Sequence, residues 1–273
     1  MPHLTVQGMD IPKLGFGTWQ LTGDECRRGV ADALAVGYRH VDTAQMYGNE
    51  AQVGQGIAAS AVPRQDIFLT TKLLPDNLAP DRVHTSIKES LTDLRTDDVD
   101  LLLIHWPSRD VPLEETLGAM SELREQGLVR GVGVSNFPPS LVREAVGHTA
   151  ILANQVEYHA YLSQEALLEL ARKHDHMLTA YCPLARAQLL DDPVVTDIAA
   201  AHEATPAQVA LAWLLAQDHV ATIPKATARE RIEENFAAAQ LRLSDDELAR
   251  ITALDRGNDG RLLDPPFAPD WER

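Results

Sequence analysis

Short apolar runs alternate with longer stretches of helical periodicity along most of the chain. The runs are rich in aliphatic and β-branched residues, which is typical of buried strands. In the stretches between them, apolar residues recur every three or four positions, as in helices with one buried face. We predict strands at residues 14–17, 39–42, 67–71, 101–104, 131–135, 154–157, 178–181 and 220–224.

The predicted helices fill the intervals between these strands and follow the last of them. They are expected at residues 24–35, 50–59, 82–94, 113–126, 141–146, 164–174, 194–201, 206–217, 229–237 and 244–254. A strand followed by a helix, repeated eight times, indicates an α/β protein with a parallel sheet closed into a single (β/α)8 TIM barrel. The length of 273 residues fits one such barrel, which typically has about 250 residues.

The two ends of the chain depart from this repeating pattern. Residues 3–13 are typical of a β-hairpin, which would cap the bottom of the barrel. From Gly257 onwards the chain is rich in Gly and Pro, and we predict a loop over the active-site face, with a loose terminus as the alternative. No Gly/Ser-rich linker divides the chain, so we predict a single domain over residues 1–273.

Composition excludes several classes of partner. Forty acidic against 24 basic residues give a net charge of −16, which argues against nucleic-acid binding because that requires a basic surface. No apolar run reaches the ~18 residues of a membrane span, and the N-terminus does not resemble a signal peptide. The two cysteines are far apart in sequence, as in proteins of reducing compartments. We therefore expect a cytoplasmic protein without a membrane partner.

Four chemically suitable side chains follow the ends of consecutive predicted strands. Asp42, Lys72 and His105 each close an apolar run, and Tyr47 lies in the loop after Asp42. Active sites of TIM barrels lie at the C-terminal ends of the strands, so these side chains should meet. A tyrosine has a pKa of about 10, and a buried ammonium beside it should lower that pKa. With Asp42 holding the ammonium and His105 binding a substrate oxygen, the set suits proton delivery to a carbonyl.

These four residues match the catalytic tetrad of the aldo-keto reductases, and the chain resembles this family from about residue 11 onwards. The segments HWPS and TPAQVALAW are most similar to its prokaryotic 2,5-diketo-D-gluconate reductase branch. Further family motifs are present at Ser135-Asn136-Phe137, Asn154-Gln155, Tyr181-Cys182-Pro183-Leu184 and residues 223–235. The resemblance implies reduction of aldehydes or ketones to alcohols by hydride transfer, with Tyr47 as the proton donor.

The resemblance also implies NADPH/NADP+ as the cofactor, with NADH as a second option. Lys225 and Arg231 are expected at the 2′-phosphate. Ala226 stands where the family often has a serine, which weakens the expected preference for NADPH, and Ala185-Arg186 replaces a glycine-containing loop, which leaves the pyrophosphate contacts open. The predicted cofactor-binding residues are Thr18, Trp19, Asp42, Ser135, Asn136, Gln155, Tyr181, Cys182, Pro183, Leu184, Ile223, Lys225, Ala226, Arg231, Glu234 and Asn235.

For the substrate, the family arrangement implies an apolar wall beside the carbonyl-binding corner. The predicted substrate-binding residues are Trp19, Met46, Tyr47, His105, Trp106 and Trp271. Such a pocket is compatible with 2,5-diketo-D-gluconate, methylglyoxal and other small carbonyl compounds. The family expectation for the oligomeric state is a monomer.

Two other functions are weighed against this one. The first is a metal-dependent TIM-barrel hydrolase using His105, His159, Asp42 and a modified Lys72, although the His-x-His pair typical of that class is absent from the first strand. The second is a non-catalytic nicotinamide-binding module. His174 and His176 flank Asp175 but precede a strand, so they are interpreted as surface residues and no metal site is predicted.

Overall fold

A computed structural model of the chain describes residues 1–271, which form a parallel sheet surrounded by helices. The first two strands form a separate antiparallel pair, and the other eight form one sheet in sequential order. The strands are β1 His3–Val6, β2 Met9–Pro12, β3 Phe16–Gly17, β4 His40–Asp42, β5 Phe68–Leu73, β6 Val99–Ile104, β7 Val129–Ser135, β8 Ala153–Glu157, β9 Met177–Tyr181 and β10 Val220–Thr222.

Helices connect successive strands of the sheet and cover its outer face. Two of them begin with capping boxes, in which Thr205 pairs with Gln208 and Ser244 pairs with Glu247. The helices are α1 Gly23–Val36, α2 Glu50–Ala59, α3 Pro80–Leu94, α4 Leu113–Glu125, α5 Pro139–His148, α6 Glu165–His174, α7 Pro193–Ala201, α8 Pro206–Ala216, α9 Arg229–Ala237 and α10 Asp245–Thr252. Within residues 1–271, none of these helices is long and apolar enough to cross a membrane.

The sheet closes on itself between its first and last strands. Gly15 N donates to Thr222 O at 2.8 Å, and Gly17 N donates to Pro224 O at 3.1 Å. Leu14 and Thr222 also form a parallel bridge. These contacts leave neither edge strand open, and the predicted (β/α)8 barrel is confirmed.

The core consists of two apolar layers. The larger one lies between the strands and the helices, and it includes Leu69, Leu102 and Val132. The smaller one joins residues at the starts of barrel strands, such as Phe68 and Met177, to Val6 and Ile11 of the hairpin β1–β2. Burial of an aliphatic or aromatic side chain of this size stabilises a fold by about 1.5–3 kcal/mol. The hairpin therefore closes the bottom of the barrel, as predicted.

The same hairpin explains why one expectation is wrong. His176 is fully buried and is not a surface residue. In the turn of the hairpin, Gln7 N donates to Asp175 Oδ2 at 2.8 Å, so the hairpin covers the loop that carries the histidine. Burial lowers the pKa of His176 to about 4, and the imidazole is therefore neutral at pH 7.

Candidate active site

The four predicted catalytic side chains meet at the C-terminal ends of β4, β5 and β6. Asp42 is the last residue of β4, Lys72 lies near the end of β5, and His105 directly follows β6. Tyr47 ends a short 3-10 turn, Gln45–Tyr47, that follows β4. Because neighbouring parallel strands end at the same edge of the sheet, residues far apart in sequence converge there.

Lys72 is the centre of this group. Its side chain is fully buried, and Nζ donates to Asp42 Oδ1 at 2.5 Å, to Thr43 O at 2.7 Å and to the Tyr47 hydroxyl at 3.3 Å. The ring of His105 meets the ring of Tyr47 edge-on, with centroids 5.6 Å apart. An ammonium, a carboxylate, a phenol and an imidazole thus share one corner of the molecule.

The pKa of Tyr47 moves in the opposite direction to the one predicted from the sequence. Burial, and secondly the carboxylate of Asp42, raise the pKa of Tyr47 well above its usual value. The ammonium of Lys72 was the basis of that prediction, which left out the loss of solvent around the phenol; this loss disfavours the phenolate. Tyr47 is therefore protonated at neutral pH, which is the state that a proton donor requires.

The other two titratable groups of the corner are also shifted by burial. Loss of solvent lowers the pKa of Lys72, while the carboxylate of Asp42 opposes this effect. Burial, together with the positive charge of Lys72, lowers the pKa of His105 far below its usual value. His105 is consequently neutral, and its buried Nδ1 has no partner within residues 1–271. A neutral imidazole can form a hydrogen bond with a carbonyl oxygen without adding a charge.

A second polar cluster lies beside this corner and is bonded to it. Gln155 Nε2 donates to Asp42 Oδ2 at 2.7 Å. Ser135 Oγ donates to Gln155 O at 2.8 Å, Asn136 Nδ2 donates to His105 O at 2.9 Å, and Tyr181 OH donates to Asn136 Oδ1 at 2.7 Å. This network fixes the side chains at the ends of β7, β8 and β9.

Both groups open into one pocket of about 450 Å³ at the C-terminal face of the barrel. Fourteen of the predicted site residues line it: Thr18, Trp19, Asp42, Met46, Tyr47, His105, Trp106, Asn136, Gln155, Tyr181, Cys182, Pro183, Ile223 and Lys225. The other predicted residues do not line it: Lys72, Ser135, Leu184, Ala226, Arg231, Glu234, Asn235 and Trp271. Ser135 is buried behind the wall, and Trp271 packs against Trp106 with ring centroids 6.4 Å apart.

Sequence reasoning missed part of the lining. The C-terminal tail contributes Leu262, Leu263, Asp264, Pro265 and Phe267, so the predicted loop over the active-site face is present. Phe267 meets Trp106 edge-on at 5.3 Å between ring centroids, in front of Trp271. The richness of the tail in Gly and Pro indicated an irregular segment, but no pattern within it shows which aromatic residue faces the pocket.

The cationic residues near β10 and α9 differ in how they are paired. Arg231 Nη1 donates to Glu234 Oε2 at 2.5 Å, and Arg229 bonds both Asp32 and Glu233. Lys225 is exposed at the pocket and has no hydrogen bond or ion pair within the described chain. Arg186, which also lines the pocket, has no acidic partner there either. These two cations are the groups of the pocket that can accept an anion.

The pocket fits a nicotinamide dinucleotide by the chemistry of its donors. It combines side-chain amides, a tyrosine ring and two cations without acidic partners, which suit a carboxamide, a flat ring and phosphates respectively. The metal-dependent alternative gains no support. His159 is bonded to Glu157 away from the pocket, and no cluster of three or more potential metal ligands occurs in residues 1–271.

Comparison with known proteins agrees with this geometry. The aldo/keto reductase family profile matches residues 13–256. The methylglyoxal reductase DkgB of Escherichia coli O157:H7 is 44% identical over 270 residues, which cover 97% of this chain and 100% of that protein. An aldo-keto reductase of Mycolicibacterium smegmatis is 40% identical over 260 residues, which cover 94% of each.

Solved structures give the same result. A crystal structure provisionally described as 2,5-diketo-D-gluconic acid reductase B has a TM-score of 0.97 at 45% identity, and the match covers 100% of this chain and 98% of that chain. Aldose reductase from Schistosoma japonicum has a TM-score of 0.89 at 34% identity, with 94% and 93% covered. The chain therefore belongs to the aldo-keto reductase family and is an oxidoreductase that reduces carbonyl groups.

Proposed function

We propose that this reductase converts small aldehydes and ketones to alcohols with NADPH, and that Tyr47 supplies the proton. The observation that carries the proposal is the contact of 3.3 Å between the Tyr47 hydroxyl and the buried Lys72 ammonium at the pocket. A protonated phenol there can give its proton to a carbonyl oxygen that becomes negative during reduction. The ammonium then stabilises the phenolate left behind.

The other two residues of the corner support this transfer. Asp42 accepts from Lys72 at 2.5 Å and offsets the cost of burying its charge. His105, held neutral by burial, forms a hydrogen bond with the substrate oxygen and places it near Tyr47. When bound, the reduced nicotinamide supplies the hydride. The protein contributes the position of the reactants and the proton.

For the cofactor we propose that Asn136 and Gln155 hold the carboxamide and that Tyr181 provides the surface for the ring. All three line the pocket and are fixed by hydrogen bonds to their neighbours. Lys225 is proposed to bind the 2′-phosphate, because among residues 1–271 it has no acidic partner, whereas Arg229 and Arg231 of α9 are both paired with carboxylates. With Ala226 beside it instead of a serine, the preference for NADPH over NADH is expected to be modest.

Small neutral carbonyl compounds are the proposed substrates, with methylglyoxal as the representative. The wall beside the catalytic corner consists of Trp19, Met46, Trp106 and Phe267. A polyhydroxylated acid such as 2,5-diketo-D-gluconate would leave polar groups against this wall without partners, which is costly. Methylglyoxal carries few such groups. We further propose a single-domain monomer acting in the cytoplasm, in keeping with two cysteines that are free.

A panel of carbonyl compounds tests this proposal. Oxidation of NADPH would be followed with methylglyoxal, a simple aldehyde and 2,5-diketo-D-gluconate, each repeated with NADH and with a chelator. We expect kcat/KM to be higher for methylglyoxal than for 2,5-diketo-D-gluconate by about ten-fold or more, a difference of about 1.4 kcal/mol in transition-state binding. The reverse order would refute the substrate assignment, and loss of turnover with the chelator would favour the metal-dependent alternative.

A further inference from the structure

Glu157 is a buried carboxylate that the proposed reaction does not use. It is the last residue of β8, and its side chain is fully buried. Its two oxygen atoms accept backbone hydrogen bonds from consecutive residues of the C-terminal tail: Leu262 N donates to Oε1 at 2.8 Å, and Leu263 N donates to Oε2 at 2.9 Å. A carboxylate is costly to bury, so the oxygen atoms of a buried carboxylate normally accept hydrogen bonds from strong donors.

Glu157 also interacts with residues of the loop after β8 and with a cation of the tail. His159 Nε2 lies 2.9 Å from Oε1, and both side chains of that pair are fully buried. Gln164 Nε2 donates to the backbone oxygen of Glu157 at 2.7 Å and fixes the loop that follows β8. The guanidinium of Arg261 is attracted to the carboxylate and stacks on the ring of Trp271 at 3.7 Å. The barrel and the tail are thus joined at one charged group.

The tail segment held in this way forms one wall of the active-site pocket. We call residues 261–267 the strap. Leu262, Leu263, Asp264, Pro265 and Phe267 of the strap line the pocket, facing residues such as Tyr47 and Trp106 on the barrel. The two residues whose backbone amides bind Glu157 are therefore themselves wall residues. A shift of these amides would move the wall.

We propose that Glu157 is a positioning residue: it fixes the strap against the barrel and so sets the affinity of the pocket for its carbonyl substrate. This role rests on the proposed function, because the strap closes the pocket in which that reaction takes place. The residue just before the strap, Gly260, also lies very close to the barrel. A Cβ added there would overlap Tyr161 O, so only glycine allows the chain to lie this close to the loop after β8.

The substitution Glu157→Gln tests the anchor directly. Glutamine keeps the size of the side chain, but its NH2 group faces a backbone N–H and cannot accept from it. We expect amide hydrogen exchange at Leu262 and Leu263 to accelerate by about ten-fold or more, because a hydrogen bond to a charged group is lost. We expect KM for methylglyoxal to rise by a similar factor, while kcat and the Kd for NADPH stay within about two-fold.

Asp100→Asn is the matched control. Asp100 is also a buried carboxylate on a barrel strand, and its Oδ2 accepts from Leu69 N at 2.9 Å, but it lies at the start of β6, at the opposite end of the barrel. This variant should lose stability without changing the KM or the exchange of the strap amides. Gly260→Ala should raise KM as Glu157→Gln does, because it displaces the strap while leaving the carboxylate in place.

Each outcome bears on a separate part of the claim. Unchanged exchange at Leu262 and Leu263 in Glu157→Gln would overturn the anchor, and this readout does not depend on catalysis. Faster exchange with an unchanged KM would overturn the link between strap position and substrate affinity. A failure of the wild-type protein to reduce any compound of the panel would refute the proposed function alone, since the exchange measurement would still report on the anchor.

Discussion

Lys72 shows how much a single residue can depend on its neighbours. Its ammonium is fully buried, a position that is strongly unfavourable for a charge without partners. Three oxygen atoms surround it, one each from Asp42, Thr43 and Tyr47. Burial of the phenol, and secondly the carboxylate of Asp42, explain why the pKa of Tyr47 rises instead of falling. In the mechanism that we propose, Lys72 acts mainly after proton transfer, when its ammonium stabilises the phenolate.

Lys225 and Arg186 offer a paired test of cofactor binding at the residue scale. Both line the pocket, and neither has an acidic partner among residues 1–271, but they follow different strands, β10 and β9. We expect Lys225→Ala to raise the KM for NADPH by about ten-fold or more and to leave that for NADH nearly unchanged, because only NADPH carries the 2′-phosphate. We propose that Arg186 binds the pyrophosphate, which both cofactors carry, so Arg186→Ala should weaken the binding of NADPH and NADH to a similar extent.

Steady-state kinetics with each cofactor, at saturating carbonyl substrate, measure these effects. Arg231→Ala provides a comparison, because the guanidinium of Arg231 is already engaged by Glu234. An equal loss for both cofactors in Lys225→Ala would place the 2′-phosphate elsewhere. If Arg186→Ala weakened the binding of NADPH but not of NADH, Arg186 and not Lys225 would be the residue at the 2′-phosphate.

At the scale of elements, two glycines explain how α2 fits between its neighbours. A Cβ at Gly54 would lie 2.6 Å from the backbone of Asp93 and Leu94 at the end of α3. A Cβ at Gly56 would lie 2.7 Å from Arg27 O of α1. The pattern G-x-G-x-x-A at residues 54–59 resembles a dinucleotide-binding motif, but it lies inside a helix. Its glycines permit close packing of three helices and do not bind phosphate.

Gly54→Ala should therefore destabilise the protein. Overpacking against backbone atoms typically costs about 1–3 kcal/mol, more than the gain in helix propensity. The midpoint of urea unfolding measures the change. Gly118→Ala in α4 is the control, because nothing lies within 4 Å of a Cβ at that position, and it should stabilise the helix by about 0.5–1 kcal/mol. Equal effects of the two substitutions would contradict the packing argument.

The elements could be predicted from the sequence because each carries a local signal. Strands ending at Asp42 and Ser135 were placed by their apolar runs, and α10 by the capping pair Ser244 and Glu247. The course of the tail could not be predicted, since it is set by hydrogen bonds from Leu262 and Leu263 to Glu157, which is more than a hundred residues away in sequence. Long-range contacts of this kind leave no periodicity in the chain.

The same limit applies to side-chain environments. His176 belongs to a polar sequence, HDH, that is typical of an exposed loop. His176 is buried because the hairpin covers this loop. Gln7, in the turn between β1 and β2, bonds Asp175, which directly precedes the histidine. The polar local sequence thus predicted an exposed side chain at a position that another part of the fold covers. The convergence of the catalytic residues was predictable because strand ends, unlike loops, have a fixed common edge.

At the scale of the whole molecule, the pocket exists only when the barrel is closed. Its lining comes from strand ends between Gly17 and Lys225 and from the strap. Closure depends on the backbone hydrogen bonds between β3 and the segment around β10. The net charge of −16 gives the molecule as a whole a repulsive field for an anionic cofactor. Lys225 and Arg186, the two pocket cations that lack an acidic partner in the described part of the chain, provide a local exception to that field.

Single-turnover reduction of methylglyoxal by Tyr47→Phe, with NADPH bound, measures whether Tyr47 is the proton donor. Tyr38→Phe is the control, because it removes a buried hydroxyl that does not line the pocket and is bonded to Ile232 O at 3.3 Å. We expect Tyr47→Phe to lower the rate of reduction by about 10²–10⁴-fold, because a general acid is lost, while the Kd for NADPH stays within about two-fold. Reduction by Tyr47→Phe at the rate of Tyr38→Phe would contradict this expectation.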